Sequence, residues 1–204
     1  MADDPVSATY GDSCAEVYDQ WFSSSEPAAI DRLAELAQGG RALELGIGTG
    51  LFALPLAARG IEVHGIDASP AMVAKLRAKP GGEALPVTMG DFAAVEVAEV
   101  AGDFKLIFVV FNTFFALQTQ RDQVRCFQNA AAHLTADGVF VLEAYVPEAA
   151  FGGGPLRAMT VEPDRVGLKV SHHDPVQQKI KSTHVVLQQG DVRLYPVEIR
   201  YAWP

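Results

Sequence analysis

Long apolar runs, cysteine and positive charge are all scarce in this chain of 204 residues. The longest apolar run, residues 106–111, falls well short of the ~20 residues a membrane-spanning helix needs and suits a buried strand instead. The start is acidic, with Asp3 and Asp4, and has no apolar signal-peptide core. Cys14 and Cys126 are the two cysteines, and they form no metal-ligand spacing, so no metal site is expected. Lysine and arginine number 16 against 25 acidic residues, for a net charge of −9. A surface of that sign repels phosphate backbones and anionic lipid, which argues against nucleic acid and membranes as partners. With 49% hydrophobic residues, the chain can build one real core at this length. A cytoplasmic enzyme is the expectation.

What the chain does have is a regular alternation. Residues 1–9 are expected to be mobile. Ser13, with Glu16 three residues on, matches a capping box that opens a helix carrying Val17, Tyr18, Trp21 and Phe22, and Ser23-Ser24-Ser25 breaks it. Ile30, Leu33, Ala34 and Ala37 make the stripe of a second helix, stopped by Gly39-Gly40. Strands follow at 41–45, 61–66, 85–89, 104–110 and 139–145. Between them lie a helix carrying Met72, Val73 and Leu76 and one expected to bury Val124, Phe127, Ala131 and Leu134. Asp137-Gly138 reads as the turn into the fifth strand. This order predicts an α/β fold, a doubly wound (Rossmann-like) parallel sheet of about five strands, with strand four beside strand one and strand five next to it.

After a stretch read as a loop, 147–163 with Gly152-Gly153-Gly154, the period becomes two. Val166, Leu168 and Val170 alternate with polar residues, residues 179–187 form another strand, and Gln189-Gly190-Asp191 turns into a last one. That last strand places Tyr195, Val197, Ile199, Tyr201 and Trp203 on one face. Residues 1–150 are thus expected to form the core and 151–204 an antiparallel β extension of the same domain.

The organising stretch is Ala42-Leu43-Glu44-Leu45-Gly46-Ile47-Gly48-Thr49-Gly50. A strand, a glycine turn and a helix make room for a nucleotide-like ligand at the carboxyl end of a strand. The dinucleotide pattern G-x-G-x-x-G wants its third glycine at position 51, where Leu51 stands; Gly50 comes one place early. Asp67 ends the second strand about 20 residues past the glycines, where a carboxylate takes ribose hydroxyls; a plain loop or capping acid is the alternative. Ser69-Pro70 then caps the next helix. Asp91 and Phe92 close the third strand with an acceptor and an apolar wall suited to adenine, and Asn112 ends the fourth.

The ordered set Glu44-x-Gly46-x-Gly48-x-Gly50, Asp67, Asp91-Phe92 and Asn112 resembles the class I S-adenosylmethionine-dependent methyltransferases over residues of about 10–146. Tyr10 followed by Tyr18-Asp19, and the late antiparallel sheet, resemble small-molecule members of antibiotic and deoxysugar pathways, including amino-sugar N-methyltransferases. The resemblance implies S-adenosylmethionine as cofactor: Glu44, Gly46 and Gly48 along its methionine part, Asp67 at the ribose, Asp91 and Phe92 at adenine, Tyr10 and Tyr18 closing over it. It also implies a small-molecule acceptor. Lys105 stands where the family usually has an aspartate, and the usual last helix and two strands do not follow Trp203-Pro204.

In-line methyl transfer needs alignment more than acid catalysis. Tyr10 and Phe111 are the aromatic candidates to face a sulfonium cation. Asn112, His172 and His173 are the candidate catalytic residues; the two histidines are adjacent on a strand, so at most one faces a site. An NAD-type oxidoreductase and a shortened, non-catalytic cofactor-binding relative stay open as alternatives. The aromatic face of Tyr195, Tyr201 and Trp203 predicts a homodimer formed through the antiparallel segment.

Overall fold

The computed structural model describes residues 6–22, 26–94, 104–144 and 155–201. Helices α1 (Val6–Cys14), α2 (Tyr18–Trp21) and α3 (Pro27–Ala37) lead into strand β1 (Arg41–Leu45). Then come α4 (Ala53–Ala58), β2 (Val63–Asp67), α5 (Pro70–Arg77), β3 (Val87–Met89), β4 (Phe104–Val109), α6 (Gln120–His133) and β5 (Leu134–Leu142). These five strands form one sheet in the order β3-β2-β1-β4-β5, every pair parallel, as the alternation predicts.

Central strand β4 is buried along almost its whole length, because helices cover both faces of the sheet. Ile107 and Val109 point into one core with Leu43, Leu45 and Ile66; Leu106 and Phe108 point into the other with Ile30, Leu56 and Leu76. The strand therefore has no polar face, and any chemistry has to sit at its end.

A second sheet, antiparallel in the order β6-β7-β8-β9, is built from β6 (Leu156–Glu162), β7 (Arg165–Asp174), β8 (Lys179–Gln188) and β9 (Asp191–Arg200). Its inner face packs on the first sheet. Ile180 and Tyr201 join the core of Leu43 and Ile107, while Val186 and Tyr195 join Cys14, Ala15 and Met72.

Several sequence expectations need correcting. The first helix runs from Val6 to Cys14, so Ser13 lies at its end, where its hydroxyl donates to the Tyr10 carbonyl. Glu16 pairs with Lys75 instead of completing a capping box. Helix α6 buries Gln123, Cys126, Ala130 and His133, leaving Val124 and Phe127 half exposed. Hydrogen bonding chose that face: the Gln123 amide donates to the Leu117 and Arg200 carbonyls, ties that an apolar stripe cannot supply. Asp137 and Gly138 lie within β5, which starts at Leu134 and pairs with β4 across a register shift. Part of the expected 147–163 loop, Leu156–Glu162, is strand β6, because β7 offers it a partner. The aromatic face does not await a second copy of the chain: Tyr195 and Tyr201 are buried against this chain's own helices and sheet. Ser23-Ser24-Ser25, Gly152-Gly153-Gly154 and Trp203 lie outside the described residues.

Candidate active site

One side of the candidate site lies where β1, β2, β3 and β4 end. After β1 the chain turns with positive φ at Gly46 (79°) and Gly48 (53°), a region that side chains rarely enter. At Gly46 a Cβ would also come 2.6 Å from Thr113 Cγ2. The turn is held from β2: the Ile66 carbonyl accepts from the Gly46 and Ile47 amides. Asp67 accepts from Gly48 N–H through Oδ2 (2.7 Å) and from Ser69 N–H through Oδ1 (2.8 Å). One carboxylate thus fastens the glycine turn to the start of α5 and keeps lone pairs toward the cavity it lines. Burial, opposed by these hydrogen bonds, leaves its pKa above the ordinary value.

Glu44, 2% exposed, sits at the root of the turn, and its Oε2 has no hydrogen-bond partner among the described residues. Burial first and the Asp67 charge second hold its carboxyl well above the usual carboxylate range. An unpartnered buried acid of this kind is suited to meeting a cation. At the end of β3, Asp91 Oδ1 accepts from Ala93 N–H (2.8 Å), Arg125 lies 3.7 Å from Oδ2, and Phe92 is buried beside them. At the end of β4, Phe111 and Asn112 both take positive φ, 54° and 62°. A bulky residue in that region is strained and needs its surroundings to hold it. Glu143 Oε2 accepts from Phe111 N–H, and the Phe22 and Phe52 rings pack against the Phe111 ring.

The N-terminal helices close this end. Gly11 lets α1 approach α5: a Cβ there would lie 2.7 Å from Ser69 Cβ. Asp12 Oδ1 accepts from Ser69 Oγ and Ala71 N–H. Asp19 accepts from Thr49 Oγ1 (2.5 Å) and pairs with Lys79 (2.6 Å). Tyr10 and Tyr18 are thereby placed over the glycine turn, their phenol pKa values raised mainly by burial.

A cavity of about 390 Å³ results, within the size range of small-ligand sites. Tyr10, Tyr18, Gly46, Gly48, Asp67, Asp91, Phe92, Phe111 and Asn112 all line it. Glu44 borders a smaller space of about 20 Å³ that shares Tyr18, Gly46, Gly48 and Phe111 with the cavity. Lys105 is elsewhere, at the start of β4, paired with Asp137 (2.7 Å).

The opposite wall is the inner face of the antiparallel sheet. Neither predicted histidine lines the cavity, although His173 is on that inner face, opposite Ile180. His172 pairs across strands with Lys181 on the outer face, and His173 Nε2 is bonded to the Tyr201 hydroxyl. The histidine that does line the cavity is His184, buried against the Trp21 ring and with its pKa pushed down to about 4, by burial first and by the Lys169 charge second. Arg157, Lys169 and Ser182 stand on the same wall. Sequence reasoning passed over them, although His184 is in phase with Ile180, Ser182 and Val186 on a period-two strand.

Residues 42–138 match the family model for a methyltransferase domain. The whole architecture matches the solved structure of the CcbJ methyltransferase from Streptomyces caelestis, at a TM-score of 0.87 and 35% identity, covering 97% of this chain and 83% of that one. The chain belongs to the class I S-adenosylmethionine-dependent methyltransferases. Its cofactor is accordingly S-adenosylmethionine, and the dinucleotide oxidoreductase alternative falls away. The cypemycin N-terminal methyltransferase of a Streptomyces species is 28% identical over 96% of this chain and 81% of its own length. The structure of an S-adenosylmethionine-bound amino pentose methyltransferase of calicheamicin biosynthesis, from Micromonospora echinaspora, shares the fold at a TM-score of 0.67 and 21% identity, covering 92% of this chain and 82% of that one. The site of this methyltransferase fits the cofactor by its own features: a turn that side chains would fill, an unpartnered buried carboxylate and a cavity of suitable size. Among the described residues no helix is long and apolar enough to cross a membrane.

Proposed function

We propose that this methyltransferase places a methyl group on an amine of a small molecule bound between the glycine turn and the antiparallel sheet. The observation that carries this is one shared cavity: strand ends of the parallel sheet line one side, Lys169, Ser182 and His184 the other. The names of its relatives, two of which denote an N-terminal amine and an amino pentose as the methylated group, support the choice of an amine.

When bound, S-adenosylmethionine supplies an electrophilic methyl group on a sulfonium. Asp67 is the residue for the ribose hydroxyls, Asp91 and Phe92 for adenine, and Glu44, Gly46 and Gly48 for the methionine part. Tyr10, Tyr18 and Phe111 exclude water and turn aromatic faces to the cation, worth ~0.5–2 kcal/mol each. Asn112, fixed in its strained conformation at the end of β4, presents an amide to the acceptor. His184, neutral at physiological pH, can accept a hydrogen bond from the acceptor's N–H; it replaces His172 and His173 in that role. The chain mainly aligns the two reactants, which in well-oriented systems accounts for ~7–11 kcal/mol of a barrier.

Calorimetric titration with S-adenosylhomocysteine and NAD, followed by mass detection of methyl transfer to a panel of amines, tests this. S-adenosylhomocysteine should bind in the micromolar range and amines should gain one methyl. Equal or tighter NAD binding would refute the site assignment, and methyl transfer only to hydroxyls would refute the amine.

The homodimer keeps a basis, on a different surface. The outer face of the antiparallel sheet exposes Leu156, Val161, Val170, Leu187, Val192 and Leu194, a patch of the kind monomers rarely leave wet. Two copies pairing through this face are our reading of the assembly. Sedimentation at micromolar concentration should show a dimer that Leu194→Glu dissociates; a monomer at all concentrations overturns it.

A further inference from the structure

Strand register places three basic side chains in one line. Arg157 on β6 faces Lys169 on β7, and Lys169 faces His184 on β8. Directly opposed residues of antiparallel strands have Cβ atoms ~4.5–5.5 Å apart, and like charges so placed, here those of Arg157 and Lys169, destabilise a sheet; His184 stands neutral at the inner end of the row. All three line the cavity. They run from solvent inward: Arg157 is exposed, Lys169 half-buried and His184 buried. None of the three has an ion pair with a carboxylate among the described residues. In a chain of net charge −9, acids were available to neutralise this row, and none among the described residues does. The acids of the cavity, Asp67 and Asp91, lie at the strand ends of the other sheet and are engaged by Gly48, Ser69, Ala93 and Arg125. Glu198, whose residue also borders the cavity, directs its carboxylate to Lys179 and Lys181. The cavity therefore has an acidic end and a basic end.

A cationic sulfonium cofactor suits the acidic end. We infer that the basic end is the anchoring subsite of the acceptor, and that the acceptor carries an anionic oxygen group, a carboxylate or a phosphate, gripped by Arg157 and Lys169. This rests on the reading of the cavity as shared by cofactor and acceptor. Arg157 offers the planar fork that matches either anion, and Lys169 a point charge beside it. The half-buried Lys169 has its pKa lowered by burial and by Arg157, so an anion in the row would restore it. His184 then sits one strand further in, where the acceptor's nucleophile can reach it while the charged end stays anchored.

The test uses the full chain loaded with S-adenosylhomocysteine, whose own titration reports separately on the cofactor site. Imidazole proton signals are followed by NMR, with His184→Gln identifying the His184 signal, while inorganic phosphate and acetate are added at constant ionic strength against a chloride control. One or both anions should shift the His184 signal saturably in the millimolar range, and the stronger of the two identifies the acceptor's group. Lys169→Gln and Arg157→Gln should each weaken that binding at least about fivefold, with S-adenosylhomocysteine affinity unchanged. Absence of a saturable shift for both anions overturns the inference. So does a tenfold or larger loss of S-adenosylhomocysteine affinity in either variant, which would assign the row to the cofactor's own carboxylate. Failure of S-adenosylhomocysteine to bind the unsubstituted chain, with the anion shift intact, would instead strike the reading of the cofactor site.

Discussion

The two sheets of this methyltransferase place chemistry in opposite ways. The parallel sheet is sealed on both faces, so its functional groups cluster where strands stop: a glycine turn, Asp67, Asp91, and the strained pair Phe111 and Asn112. The antiparallel sheet has one packed face, and its functional groups stand in mid-strand, in the row of Arg157, Lys169 and His184. Backbone geometry makes the first kind of site, and loops tolerate little change in it. Side chains on a regular scaffold make the second, which can be altered residue by residue without disturbing the ladder. A cofactor common to a family suits the first kind; an acceptor that differs between members suits the second.

That contrast can be tested from its largest consequence downward. Phe108, 0% exposed in the parallel sheet against Phe52, should cost ~3–5 kcal/mol on Phe108→Ala. Val185, half-buried on the outer face of the antiparallel sheet, should cost ~1 kcal/mol on Val185→Ala. Urea unfolding of both variants checks this, and equal losses would erase the distinction between a sealed and an open sheet.

Gly46→Ala should cost ~1–3 kcal/mol in backbone strain and push the new methyl into Thr113. S-adenosylhomocysteine binding, read by calorimetry, should fall by at least an order of magnitude. Normal binding would show that the turn does not need a bare backbone.

Asp67→Ala removes an acceptor from Gly48 and Ser69 as well as from the proposed ribose contact, so stability and affinity should fall together, each by ~1–3 kcal/mol. Asp67→Asn keeps one acceptor oxygen and should recover part of the stability but little of the affinity. A variant that loses stability alone would confine Asp67 to holding the turn.

The smallest effect lies in the other sheet. His184 titrates at about 4 in the folded chain, against an ordinary 6.5. Between those values the unfolded chain binds a proton that the folded chain refuses, so stability rises with pH across this window and is lost as pH falls through it. Comparing unfolding at about pH 7 and about pH 5, the chain should lose on the order of 1 kcal/mol more than His184→Gln does. Parallel losses in the two would mean that His184 is not held neutral by burial.

Much of the fold was legible along the chain because its signals are local. Apolar runs bounded by glycine and proline mark strands 41–45 and 61–66, and Ser69-Pro70 marks the start of α5, where the Ser69 hydroxyl does accept from Met72 N–H. The errors share a cause. The face of α6 was misjudged because Gln123 is held inside by the Arg200 carbonyl, a partner distant in sequence. The strand β6 was missed because, alone, Leu156–Glu162 carries no clear period; only β7 makes it a strand.

The sequence by itself determined the strand–glycine–helix unit, the acid that ends β2 and the alternation that makes a doubly wound sheet, since each depends on backbone stereochemistry and spacing over a few neighbouring residues. Tertiary structure alone decided which histidine faces the cavity. His172, His173 and His184 are equivalent as residues on strands, and only the register of β7 against β8, with the packing of one sheet face on α1 and α2, turns His184 inward and His172 out.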